Sequence, residues 1–193
     1  CGPLLVARDS EKFIKGTFSG ELKIAIPGKL TTAFLLLQLF SSASGIQPST
    51  FVAMPFYEIM EAVRDGRVDA GLLIHESRFT YQDYGLQQIT DLGEWWEKET
   101  GLPIPLGGII ARESLGTSVI RTIENLIRTG IKYSLSHRDE AMSYIKKHSQ
   151  ELSEDVVMKH IALYVNDYTL DIGDDGLAAL DELLKRAAKI FKN

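Results

Sequence analysis

Three short apolar runs separated by two helix-like runs limit what this chain can fold into more than any other feature. "LKIAIPG" (22–28), "FVAMP" (51–55) and "VDAGLLI" (68–74) read as strands. Pro27-Gly28 closes the first as a turn, and Thr31 and Thr32 offer caps for the helix "TAFLLLQLFSS". Pro55 suits the first helical position of "FYEIMEAVRDG", where its missing N–H costs nothing, and Asp65-Gly66 ends that helix. The order is β-α-β-α-β. Strands with no polar alternate positions belong to a sheet covered on both faces, the arrangement of parallel α/β sheets with right-handed crossovers.

Beyond residue 74 the spacing predicts a short helical stretch near "SRFTYQDYG", a strand "QQITDL" (87–92) and a helix "GEWWEKETG" (93–101). "LPIPLGGIIARES" (102–114) reads as a loop feeding an extended segment. Helices are expected near 117–135, 138–149, 154–166 and 174–191. The last carries Leu177, Leu180, Leu183, Leu184 and Ala187 as a core-facing stripe. An α/β lobe followed by a helical tail results, with a boundary near 107–116.

Bulk properties exclude several classes of function. A net charge of −5 and a pI near 5.4 argue against nucleic acid, which calls for a basic face. No apolar run reaches membrane-span length, so no membrane partner is expected. The single cysteine, Cys1, excludes an internal disulfide framework and a thiolate metal cluster, and cytoplasmic localisation is the simplest reading. The chain enters an apolar run directly after Cys1. A processed N-terminus, a lipid-anchored Cys and a fragment of a longer protein are the three options, and the fragment is the expectation.

In an open parallel sheet, ligands bind outside the carboxyl ends of the strands. Two loops leave such ends, "PGKLTTA" and "HESRF". The first opens a helix whose free N–H groups suit an anion, with Thr31 and Thr32 either adding donors or only capping. It is not a phosphate loop: Lys23 stands where the first glycine is required, and Leu30 where the Ser/Thr is required. A carboxylate is the expected anion. The second loop offers His75 as a general base near neutral pH. It is not a zinc-protease motif, since Phe79 occupies the position of the second histidine. Arg78 either binds substrate or pairs with Asp83 or Glu76. His137, His148 and His160 read as solvated helix residues. Of the adjacent Trp95 and Trp96, one is expected in the core.

Four stretches together, "AIPGKLTTAFLLL", "GLLIHESRFTY", "DLGEWWEKETGLPIPLGG" and "LYVNDYTLDIG", resemble their counterparts, in the same order, in the 1,4-dihydroxy-6-naphthoate synthases of the futalosine route to menaquinone. The resemblance covers nearly all of residues 2–180. The sister chorismate dehydratases share a "DLG…W…TGLP" stretch, but "IHESRFTY" is similar to the synthases. The resemblance implies a periplasmic-binding-protein-like type II fold, here one α/β lobe plus a C-terminal helical region of the second lobe. It implies a lyase acting on cyclic dehypoxanthinylfutalosine, a small-molecule carboxylate, without metal or other cofactor. It carries the proton-acceptor role to His75 and substrate contacts to Thr32 and Ala33. The candidate substrate-binding set is Thr31, Thr32, Ala33, Arg78 and Gly107.

Family members carry a further N-terminal segment with a "SPCPNDTF"-like stretch. The expected division is therefore a hinge strand at 1–8, the lobe at 9–107, and a return strand and helical tail at 108–193 belonging to the other lobe. "GPLLVAR" would be the hinge strand and "PLGGIIAR" the returning one. The missing N-terminal lobe, or a partner chain, is expected to cover an apolar face. A solute-binding protein for a small carboxylate and the dehydratase are the alternatives.

Overall fold

In a computed structural model, residues 2–11, 21–46, 48, 50–148 and 153–190 are described. They divide into two compact units, Cys1–Leu106 with Gly173–Asn193, and Gly107–Ile172. The first is built on a five-stranded sheet of β1 (Leu4–Ala7), β2 (Lys23–Ile26), β3 (Thr50–Ala53), β4 (Ala70–Leu73) and β5 (Gln87–Asp91), ordered β3-β2-β4-β1-β5. The β2 strand pairs in parallel with β3 and β4, the outcome expected of the β-α-β-α-β run. The first strand runs antiparallel between β4 and β5, with Leu4 level with Leu73 on one side and Asp91 on the other. The run assigned to the hinge is thus an interior strand of this sheet, buried along its length.

Alternation explains why these strands carry no polar positions. Leu5, Ala7, Ile24, Ile26 and Leu72 face one core, shared with Phe34, Leu36, Leu37 and Trp96. Leu4, Val6, Ala25 and Leu73 face the other, shared with Ile59, Met60, Ala62 and Val63. The first group of helical residues belongs to α1 (Thr32–Ser44) and α4 (Leu92–Thr100), the second to α2 (Ile59–Arg64). Both faces of the sheet are dry, so both alternate positions are apolar. Gly71 in β4 marks how closely α2 lies on the sheet: a Cβ there would stand 2.5 Å from Ile59 Cγ2. Pro55 precedes a single 3-10 turn, Phe56–Glu58, and α2 begins only at Ile59. A short helix α3 (Ser77–Thr80) follows β4. Trp96 is the core member of the tryptophan pair, its Nε1–H donating to the Pro103 carbonyl (3.1 Å), while half-buried Trp95 meets Phe40 edge-on.

The second unit holds α5 (Thr117–Ser136), α6 (Arg138–His148), α7 (Glu154–Tyr164) and α8 (Asp167–Leu170). Among its described residues only Val157 is buried. Two expectations change here. Residues 105–112 form no strand; an extended run becomes one only where a neighbour supplies ladder hydrogen bonds, and no described residue does so. The last helix, α9 (Gly173–Ile190), groups with the sheet unit rather than with residues 108–172. Its buried face is Gly176, Ala179, Leu183 and Ala187, with Arg186 lying over the Trp96 ring. Of the expected leucine stripe, Leu177, Leu180 and Leu184 are exposed. The docking face is therefore Leu183, which joins the Trp96 core, flanked by small residues.

Candidate functional site at the carboxyl edge of the sheet

Because β2, β3 and β4 are parallel neighbours in register, their carboxyl ends lie side by side. Both loops singled out from the sequence leave this edge, which makes them one candidate site.

The first loop ends in Thr31, the N-cap of α1. Its Oγ1 accepts from the Phe34 N–H (3.1 Å) and donates to the Gly28 carbonyl (2.8 Å). The Thr31 carbonyl takes the Leu35 N–H (3.2 Å). Thr31 is therefore occupied as a cap. The Thr32 hydroxyl donates to the Leu106 carbonyl (3.0 Å), which fixes the end of the "LPIPL" loop beside the helix start. The backbone N–H groups of Thr32 and Ala33 have no recorded acceptor among the described residues. Two amides at the positive end of a thirteen-residue helix are thus free for an anion. Ala33 is buried as a whole residue and its methyl group carries no polar atom, so its backbone N–H is the one group it can offer. Lys29 and Leu30 are exposed in the same loop.

The second loop starts at Ile74, and His75 follows. His75 has φ +57°, the one positive φ outside glycine among the described residues. For a non-glycine residue such a backbone costs of order 1–3 kcal/mol and persists where neighbours impose it. The turn swings the chain abruptly from β4 into α3. The imidazole is exposed, and the Phe56 ring stands edge-on to it, centroids 5.1 Å apart at 69°. Phe56 meets Tyr57 edge-on in turn, and Tyr57 is exposed. Sequence reasoning missed this third loop because Pro55 was assigned to a helix start. The signal was present: β3 is parallel to β2, and its carboxyl end belongs to the same edge.

Arg78 pairs with neither Asp83 nor Glu76. Its guanidinium donates to Asp91 Oδ2 (2.8 Å) and to the Gly2 carbonyl, and side-chain exposures of 15% and 3% make this a largely buried pair. The other oxygen of Asp91 caps α4, accepting from Gly93 N–H (2.8 Å) and Glu94 N–H (3.2 Å). "TDLGEWW" shows that cap in the sequence, an Asp just before a helical run. Gly107 is exposed, lies outside any regular element and is the first residue of the second unit. His137, His148 and His160 belong to that unit too, each against a tyrosine one helical turn away. No group of three or more His, Cys, Asp or Glu residues among those described is placed to hold a metal.

A sheet of this order with helices on both faces and loops gathered at one edge defines the class: an α/β unit of the periplasmic-binding-protein-like type. The periplasmic aliphatic sulphonate binding protein of Escherichia coli superimposes with a TM-score of 0.64 at 12% identity, covering 100% of this chain and 60% of that one. At that identity the likeness concerns the fold. A crystal structure from Archaeoglobus fulgidus is nearer, with a TM-score of 0.86 and 37% identity over 100% of this chain and 69% of that one. The family model described as menaquinone biosynthesis matches residues 1–189, and the chain belongs to that family. Two curated relatives, both named 1,4-dihydroxy-6-naphthoate synthase, are 45% identical. The one from Streptomyces coelicolor aligns over 97% of this chain and the one from Thermus thermophilus over 96%. This chain spans 65% of the length of each.

Proposed function

We propose that this chain carries the base-bearing unit of a 1,4-dihydroxy-6-naphthoate synthase, a cytoplasmic carbon–carbon lyase of the futalosine route to menaquinone. The observation that carries the reading is the pairing, on one sheet edge, of an exposed His75 in a strained turn with two unclaimed amides at Thr32 and Ala33. The names of the two 45%-identical relatives support it.

The roles follow from the chemistry. The Thr32 and Ala33 amides, at the positive end of α1, hold the carboxylate of the cyclic dehypoxanthinylfutalosine substrate. His75 takes a proton from the partly saturated ring. The electron pair left behind forms a ring double bond as the bond to the sugar-derived fragment breaks; that bond's own pair leaves with the fragment, which takes up a proton from the His75 imidazolium, and aromatisation drives the step. Such a reaction needs one base, a fixed substrate orientation and exclusion of water. Thr31 acts as a cap and Arg78 as a structural cation in this reading, so neither contacts substrate.

His75→Ala tests the assignment. Product formation should fall by about a hundredfold or more, measured by chromatography, while substrate binding by calorimetry persists. Retained turnover would remove His75 from the chemistry. Binding of the acid with no turnover in either protein would favour a solute-binding protein.

A further inference from the structure

The backbone of His75 takes a left-handed φ in the turn that joins β4 to α3. A single positive-φ residue outside glycine survives where the surroundings over-determine it. On the ring side, Phe56 stands edge-on to the imidazole. On the chain side, Glu76 leads into α3, a helix of four residues, too short to hold itself by its own hydrogen bonds.

Arg78 ties the end of that turn to the sheet. β1 runs antiparallel to β4, so the start of β1 lies at the carboxyl end of β4, and Asp91 ends β5 at the same level. The Arg78 fork reaches both at once: the Gly2 carbonyl just before β1, and Asp91 Oδ2 at the end of β5. Asp91 is itself held by its two bonds to the first turn of α4. The turn after β4 is thus tied across the sheet edge to two neighbouring strands and a helix start. Only a planar, multi-donor cation makes both bonds together.

We propose that Arg78 is a positioning residue for His75: by clamping α3 to Gly2 and Asp91, it holds the left-handed turn that aims the imidazole over the carboxyl edge of the sheet. This rests on the reading of His75 as the base.

The test uses four histidines as reporters in one spectrum. In carbon–proton correlation spectra of the chain, the His75 imidazole signal is assigned by its loss in His75→Gln. In Arg78→Gln that signal should shift, or split into more than one, while those of His137, His148 and His160 superimpose on wild type. Arg78→Lys, which keeps the charge but not the fork, should restore it only in part. In turnover assays, kcat of Arg78→Gln should fall by about ten- to a hundredfold with KM nearly unchanged. Should Arg78→Gln fail to fold, Asp91→Asn gives the same readout, since the amide oxygen can still cap α4 while the ion pair is lost. A His75 signal identical to wild type in a folded variant overturns the proposal. So does a raised KM with unchanged kcat, which would make Arg78 a substrate contact. Turnover retained in His75→Ala would remove the base reading alone and leave the spectroscopic result standing.

Discussion

Helices α1 and α5 are both written with apolar residues at helical spacing, and they end in opposite environments. In α1, Ala33, Phe34, Leu36 and Leu37 are buried against the sheet. In α5, twenty residues long, no side chain is buried, and Val119, Ile123, Leu126 and Tyr133 are 47%, 38%, 67% and 52% exposed on one stripe. Pattern tells which face of a helix is apolar; it does not say what covers that face. The first unit supplies its own cover, because five strands present two dry faces to α1, α2, α4 and α9. The described residues of the second unit do not, leaving a patch of the kind that elsewhere marks a covered surface.

Mutations of matched chemistry break or sharpen that contrast. Trp96→Ala removes the largest fully buried side chain of the first unit and orphans the Pro103 carbonyl. We expect a loss of about 3–5 kcal/mol in urea unfolding. Ile123→Ala on the exposed stripe should change stability by less than about 0.5 kcal/mol. A comparable loss at both sites would mean that the α5 stripe is covered in solution.

The same contrast exists inside α9. Leu183 is 6% exposed and joins the core around Trp96, whereas Leu184, the next residue, is 59% exposed. Leu183→Ala should cost about 2–4 kcal/mol and Leu184→Ala less than about 0.5 kcal/mol, read from denaturant midpoints. Equal effects would detach α9 from the sheet unit.

The strand run and the tail helices were legible because their signals are local. Apolar runs bounded by Pro27-Gly28 or Asp65-Gly66 place β2, α2 and β4, and the helix edges in the tail follow periodicity. The placement of α9 was not legible: Leu177, Leu180 and Leu184 outweigh Ala179 and Ala187 in any hydrophobicity count, yet the buried face is Leu183 flanked by small residues. At the candidate site, the rule that parallel strands share an edge finds the two loops. It does not find the partner of Arg78, because Asp91 lies two strands away and nothing local links them. Nor does it find the turn at His75, since a positive φ on a histidine leaves no mark in the sequence.

The smallest expected effect sharpens the contrast from the surface side. Arg64 and Asp65, adjacent at the end of α2, form an ion pair at 2.9 Å with both side chains nearly half exposed. Its hydrogen bond to Arg64 is the main reason the Asp65 carboxyl sits below its ordinary value, and the Arg64 guanidinium is raised in turn by that same bond. A carboxylate with a lowered folded-state pKa stabilises the fold above its unfolded value, and that contribution disappears as pH falls through the folded value. The pair is solvated, so the contribution is small. Asp65→Asn should therefore flatten the acid side of the stability profile slightly, and leave the neutral-pH midpoint close to wild type. If the first unit is held by its two dry cores, this change stays far below that of Trp96→Ala at every pH. An Asp65→Asn variant that unfolds as readily as Trp96→Ala would show that this ion pair, and not the covered sheet alone, holds the first unit.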